Sequence, residues 1–575
     1  MSARPRVVWL VWDAAAHWVV SRLMEEGALP ALSTLAREGV YAPARVSGPA
    51  AQTPPALATL FTGAPPERHG IVGFRLPDPS RGALGVRSGF EREALRVAPV
   101  WERVGPACGT ALANAPWTDF ERAAPRGCRF GVDGFSRRIA RGGVAVVDGR
   151  TEVAIGGRPA VVSRSGGALE LAAGDVPGPP TAAPAAAAPA AAGGPGPPAT
   201  LEIDAPAWTP WPADAPDGVL ARALTRPADG ATLLAFTGAW RAAAWAPARD
   251  GRRLAGALGP FVGEGLGRAY RFGAFGPRIA EDGDGSAEEL LLETVGLATD
   301  YFDRCCLAAL EHGAGAGLTV AYQPSLDDVE HELIGWCDAE SAAHRPDLAD
   351  RATALLRRAH ERLDDQLARV LERAGDDATV IVSSDHGMAG TAYVAHLNEV
   401  LASAGLLEFA DDGTIDAARS PVVCSPAGDG SVWVQTDDRP GGWVDAARRE
   451  DYAGAAARAL LACRAPDGSP VVLEASPPGD GWYGADLHAL VAPGFQLDMG
   501  RSPTGAAVVP SVKTGGHLHD PGDERFLGIF AARGPGVERL GDPGVVENRD
   551  VAARVTELLG IAAEPADRLA AGARA

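Results

Sequence analysis

The stretch Val7-Val8-Trp9-Leu10-Val11-Trp12-Asp13 decides the fold. An unbroken run of branched and aromatic apolar residues reads as a strand buried on both faces, as a parallel sheet covered by helices requires. The run ends on a carboxylate. Two later stretches repeat the design: Leu318 to Tyr322, followed by Pro324-Ser325-Leu326-Asp327, and Ala378 to Ser383, running into Asp385-His386-Gly387-Met388. In open α/β sheets ligands bind beyond the carboxyl ends of the strands, so Asp13, Asp327 and Asp385 point to one shared edge.

Around these strands the periodicity alternates. Residues 17–38 carry apolar side chains at helical spacing, broken near Pro30. Val40 to Val46 reads as a strand, Thr53 opens a helix, Pro99 to Arg103 begins another, and Thr110 to Asn114 is a short strand. This βα alternation predicts an α/β fold with a mostly parallel central sheet, residues 1–118 forming its first part. Residues 119–275 break the pattern with Gly- and Arg-rich, hairpin-like runs and are expected to form an inserted cap. Inside it, the Pro/Ala/Gly tract 176–199 is expected to be disordered or extended, since proline every few residues forbids a helix. Residues 276–575 resume the core, with helices from Ser286 to about Gly313 and over 347–373. They also hold a smaller insertion at 408–512, a strand from Phe526 to Ala531 closing the sheet, and a last helix at 549–559.

Composition limits the partners. A chain of 575 residues that is 46% hydrophobic has ample material for a core, and its formal charge of −20 argues against a nucleic-acid polymer as partner. A small anionic substrate stays compatible, because bound divalent ions reverse the local sign. Seven cysteines without a CxxC pair or a disulfide-framework spacing suit a reducing compartment, so a cytoplasmic location is expected. The N-terminal apolar run is too short for a signal-peptide core, and no run of about 20 apolar residues predicts a membrane span. Oligomeric state leaves no signature. Lys513 is the single lysine among 53 basic residues, which singles it out for a task that arginine does not perform.

Thr53-Pro54-Pro55-Ala56 has the chemistry of a helix start: Thr53 suits the N-cap, Pro54 suits N1, and apolar Leu57, Leu60 and Phe61 follow. A hydroxyl there would face free N–H groups and the positive end of a helix dipole, which suits an anionic ester. Asp327 and His331 are four apart, so a helical turn or compact loop puts both on one face; Asp385 and His386 are adjacent at a strand end. Carboxylate and imidazole are ligands for zinc-like ions, and oxygen-rich sets also suit manganese. Singly, each has an ordinary reading: a helix cap at Thr53, Asp13 or Asp385, a solvated acidic face around Asp327, a surface loop at His517. Their joint occurrence favours a site.

In order and spacing these residues resemble the alkaline phosphatase superfamily, and within it the type I phosphodiesterase/nucleotide pyrophosphatase branch. The resemblance rests on the strand ending at Asp13, Thr53-Pro54-Pro55 with Thr62-Gly63 and His69-Gly70-Ile71, Asp327-x-x-x-His331, Ser384-Asp385-His386-Gly387-Met388 and Gly516-His517. It covers residues 5–118 and 286–560. It implies an alkaline-phosphatase-like three-layer sandwich with inserted cap regions, and Thr53 as the catalytic nucleophile. Two divalent metal ions are implied, Zn2+ first and Mn2+ second. One would be held by Asp327, His331 and His517, the other by Asp13, Asp385, His386 and the Thr53 oxygen. The implied activity is hydrolysis of a small phosphodiester or pyrophosphate, nucleotide-linked ones included, through a phospho-threonine intermediate. A phosphomonoesterase or phosphonate hydrolase with the same site is the alternative, and an inactive binding protein the alternative of another class. The partner expected is a small phosphorylated metabolite, with no membrane involved. Two positions depart from the family pattern. Ala14 stands where Gly is usual, read as a small change. Phe74 stands where nucleotide pyrophosphatases place an Asn against a phosphate oxygen. Phe74 and Lys513 are the candidate substrate-binding positions, Lys513 as a point charge for phosphate.

Overall fold

The structure is a computed structural model describing residues 5–48, 51–82, 84–173, 199–212, 218–259, 266–424, 430–478, 482–517 and 522–562. The tract 176–199 expected to be disordered lies outside the described residues, except Ala199, which begins the strand Ala199–Glu202.

Nine strands form the central sheet: β1 (Arg6–Trp12), β2 (Val40–Arg45), β3 (Thr110–Ala113), β4 (Cys128–Ala140), β5 (Ala239–Trp245), β6 (Leu318–Gln323), β7 (Ala378–Ser384), β8 (Gly528–Arg533) and β9 (Val546–Glu547). Their spatial order is β5-β4-β3-β6-β1-β7-β8-β2-β9. The β4/β3, β3/β6, β6/β1, β1/β7 and β2/β9 pairings are parallel. The β5/β4, β7/β8 and β8/β2 pairings are antiparallel.

β1 shows why the sandwich has three layers. Its side chains alternate across the sheet, as a period of two demands. Val8, Leu10 and Trp12 enter one core with the helices Ser286–His312, Ser325–Cys337 and Ala349–Ala374. Val7, Trp9 and Val11 enter the other with Thr53–Thr62, Val100–Cys108 and Asn548–Leu558. A strand apolar at every position from Val7 to Trp12 is the one that both layers bury. The Ala349–Ala374 helix buries Ala352, Leu355, Leu356, Leu363, Leu367 and Val370 along one stripe, at the i, i+3, i+4 spacing of an amphipathic helix.

Two findings depart from the sequence reading. The strand expected to close the sheet runs Gly528–Arg533 and lies inside it, antiparallel to both neighbours. β4 and β5 lie within 119–275 yet extend the central sheet. Their signal was weak because β4 is buried only through its first half and β5 is alanine-rich. Most of the other described strands of that stretch form small antiparallel sheets around a core of their own, with Ile155, Val162, Leu169 and Leu234 at its centre. A further core, including Leu401, Val422, Val432, Leu460 and Val491, organises the region around 408–512. No described helix is long and apolar enough to cross a membrane.

Candidate active site

The carboxyl ends of four adjacent parallel strands, β3, β6, β1 and β7, face one edge. They lead in turn to Asn114, Asp327, Asp13 and Asp385. Asp13 and Asp385 directly follow their strands; Asp327 lies in the first turn of Ser325–Cys337, with His331 one turn further on. Because β8 runs against β7, its beginning lies at the same edge, and the segment before it delivers His517. β2 also ends there, opposite Gly528, and the chain continues from it to Thr53.

The turn after β1 is strained. Ala14 has φ 59°, the left-handed region that favours glycine. The replacement read as small from sequence therefore sits where a Cβ is costly. What the turn provides is a donor: Ala14 N–H reaches Asp385 Oδ1 at 3.2 Å, beside His386 N–H at 3.0 Å. Asn114 (φ 55°) and Trp117 (φ 59°), after β3, share this backbone region. Three such residues beside one pocket mark a site that the surrounding fold holds against local preference.

Thr53 is the first residue of its helix, and the extended Gln52 occupies the N-cap position. The expectation of N-cap chemistry at Thr53 is corrected accordingly. Its hydroxyl does not cap backbone but lies 3.1 Å from His386 Nε2. The helix start also offers an anion few amides. Pro54 and Pro55 have no N–H, and Ala56 N–H is spent on the Gln52 carbonyl at 2.9 Å. Positive charge at this place must come from elsewhere.

Three histidines are set by one device. Nδ1 of His331 donates to Gly515 O at 2.8 Å, that of His386 to Gly387 O at 3.0 Å, and that of His517 to Ala51 O at 2.8 Å. A carbonyl only accepts, so each Nδ1 carries the proton and each Nε2 presents a lone pair. His386 Nε2 lies 3.4 Å from Asp13 Oδ1 and 3.3 Å from Asp385 Oδ2. Asp327 Oδ1 lies 3.4 Å from His331 Nε2 and 3.5 Å from His517 Nε2. Asp13 Oδ1, Asp385 Oδ2 and Asp327 Oδ1 are buried without a hydrogen-bond donor. Burial, then the neighbouring Asp385 and Asp327 charges, push the Asp13 carboxyl well above its usual range. Burial raises Asp385 as well, and holds His331 and His517 well below the usual imidazole range.

Bare carboxylate oxygens facing bare imidazole nitrogens are too costly to bury without a cation, and the donor set is that of Zn2+ or Mn2+. Two groups of ligand atoms, each within 4.8 Å of one another, come together: Asp13, Asp385 and His386, and Asp327, His386 and His517. The first holds Asp13, Asp385 and His386 of the expected four ligands, and the second has His386 where His331 was expected. In the second, His386 closes the group tightly, with His331 flanking Asp327.

The profile of the type I phosphodiesterase / nucleotide pyrophosphatase family matches residues 7–143 and 287–516. The chain belongs to this family. It is thus an enzyme of the alkaline phosphatase superfamily, a metal-dependent hydrolase of phosphate-containing substrates. A comparison with curated proteins found no match.

The type I phosphodiesterase profile reaches every candidate ligand position except His517, which follows its last matched residue. Its interruption between 143 and 287 covers most of the small sheets beyond β4. A cavity of about 790 Å³ leads outward from Asp13, Thr53 and Asp327. Phe74 stands on its wall, 43% exposed. Lys513 lies among the charges of Asp327, Arg271, Glu332 and Asp328. Tyr322 escaped the sequence reading. Its hydroxyl donates to Asp13 Oδ2, which leaves Oδ1 to face His386. The available signal was a lone phenol near the carboxyl end of a wholly buried strand.

Proposed function

We propose that this enzyme hydrolyses a small phosphodiester or pyrophosphate with Thr53 as nucleophile, through a phospho-threonine intermediate. The observation that carries the reading is the Thr53 hydroxyl, 3.1 Å from His386 Nε2, the residue common to both ligand groups. Two divalent ions, Zn2+ first and Mn2+ second, would supply Lewis acidity there, lowering the pKa of the hydroxyl and balancing charge on the phosphoryl oxygens.

The chain's own part is positional. The buried helix Thr53–Thr62 holds the hydroxyl at the inner end of the cavity. The Thr53 oxygen loses its proton and forms a bond to phosphorus as the leaving alkoxide or phosphate departs with the electron pair and takes up a proton. Water then cleaves the phospho-threonine, giving its hydroxide to phosphorus and its proton back to the Thr53 oxygen. Tyr322 keeps Asp13 oriented, and the amides of Ala14 and His386 do the same for Asp385. The carbonyls of Ala51, Gly387 and Gly515 fix the tautomers of the three histidines. The cavity favours a diester over a monoester, since it has room for a second substituent. Lys513 is assigned to the charge balance around Asp327. All seven cysteines are free, which supports a reducing compartment such as the cytoplasm.

The test compares turnover of bis-p-nitrophenyl phosphate and p-nitrophenyl phosphate by the Zn2+- and Mn2+-supplemented protein. Acid quenching and peptide mass spectrometry should find phosphate on Thr53. Wild-type turnover by Thr53→Ala would reject the reading.

A further inference from the structure

The cavity above Thr53 has walls of two kinds, and neither suits a polyanion. Beyond the ligand carboxylates it is lined by Glu91, Glu93, Asp119, Glu121, Asp133 and Asp328, against two cations, Arg92 and Arg122. Both arginines are already matched by carboxylates. Arg122 lies 3.1 Å from Glu93 and 3.4 Å from Asp119, and Arg92 lies 3.6 Å from Glu102. Glu91 in turn lies 3.6 Å from Arg81. Away from the candidate metal ligands, where bound divalent ions would reverse the sign, acids still outnumber bases in the lining, and a low-dielectric wall strengthens that field.

The rest of the wall is aromatic. Phe90 lies 6.1 Å from Phe74 and 5.7 Å from Trp117, ring centre to ring centre. Trp117 is held rigidly by its indole N–H on Gly89 O at 2.8 Å. On the other side Phe135 packs 5.4 Å from Trp240 and 5.3 Å from Phe302. Trp240 already has the Arg138 guanidinium 5.9 Å from its ring centre, so this ring accepts a cation. Asp133 is two residues from Phe135 and takes its N–H at 2.8 Å. Burial pushes the Asp133 carboxyl up to about 7, with Asp119 and Glu121 adding to the effect. A carboxylate half-withdrawn from water beside aromatic faces is the surrounding an alkylammonium group favours: charge on one side, π-density and hydrocarbon contact on the other.

We infer that the substrate is a phosphate ester of an amino or quaternary-ammonium alcohol, its cation lodged between these carboxylates and rings while its phosphorus meets Thr53. This rests on the hydrolase reading above and narrows it. Nucleotide pyrophosphates, with several negative charges, are disfavoured by the same wall.

The experiment uses the full chain loaded with Zn2+ or Mn2+ and two substrates of one shape: p-nitrophenyl 2-(trimethylammonio)ethyl phosphate and its uncharged isostere, p-nitrophenyl 3,3-dimethylbutyl phosphate. The cationic ester should show a kcat/KM at least about tenfold higher. Asp133→Asn and Glu121→Gln should each lower that ratio, and because it compares two substrates on one preparation it is insensitive to the folded fraction. A ratio near one, a ratio unchanged in both variants, or higher kcat/KM for thymidine 5′-p-nitrophenyl phosphate would overturn the inference. A second readout needs no turnover. Tetramethylammonium should quench tryptophan fluorescence of Thr53→Ala saturably, and more weakly once Asp133→Asn is added; no saturable quenching would also overturn it. Cation binding without hydrolysis of any ester would sink the hydrolase reading alone.

Discussion

His386 and His517 lie ring on ring, centroids 4.0 Å apart and planes 12° from parallel. Burial and then His386 beside it hold His517 well below its usual range. The stack brings two lone pairs to the place where the two ligand groups meet. His517→Ala should reduce bound metal from two ions to one or none, and lower kcat/KM by more than about a hundredfold. Metal analysis and kinetics on one preparation check this; wild-type values for both would reject the ligand role.

Removal of the nucleophile has a different signature. Thr53→Ala should lower kcat by about a thousandfold or more while bound metal stays near two ions, because the carboxylates and imidazoles remain. Thr53→Ser should recover part of the rate. Parallel loss of metal and activity in Thr53→Ala would turn the hydroxyl into a structural ligand instead.

Ala14→Gly should stabilise the protein. An L-residue in the left-handed region costs about 1–2 kcal/mol, and the greater chain freedom of glycine returns about 0.5–1 of that, leaving a net gain near 0.5–1 kcal/mol. Urea unfolding should show a higher midpoint at unchanged slope. A lower midpoint would mean that the φ of 59° at Ala14 carries no strain.

Asp133 predicts a pH dependence. Its folded-state pKa is raised from 3.8 to about 7, so between those values the native state binds more protons than the unfolded chain. Stability from this group is present in full below about pH 4 and is lost as pH rises through about 7. Wild type should therefore lose stability relative to Asp133→Asn between pH 5 and pH 8. Equal slopes in the two proteins would place the carboxylate in water.

Where a side chain's role was local, it could be read from the chain alone. The strand ending on Asp13 announces itself by composition, and the Asp327–His331 spacing by one helical turn. Asp385 and His386 needed only a buried strand before them. What escaped was set by distant partners. The carbonyls of Ala51 and Gly515 that orient His517 and His331 are backbone atoms, identical in every residue, and only folding gives them a task. Tyr322 meets Asp13 across two adjacent strands. The hydroxyl of Thr53 looked like a cap because its sequence neighbours are those of a helix start, whereas its nearest functional partner lies on the segment after β7. β4 and β5 were hidden for a related reason: they lie at one margin of the sheet, where β4 is buried only through its first half and β5 is largely alanine, so their alternation is blurred.

The reversed strand Gly528–Arg533 has a consequence for biosynthesis. It wedges between strands made far earlier and brings the Ala51–His517 contact with it. A ribosome must therefore emit most of the polypeptide before the pocket can close, and pairing over such sequence separations is slow. Nascent chains halted ahead of this segment should acquire helices yet retain at most one cation, so capture of the second would time-stamp the last stage of maturation.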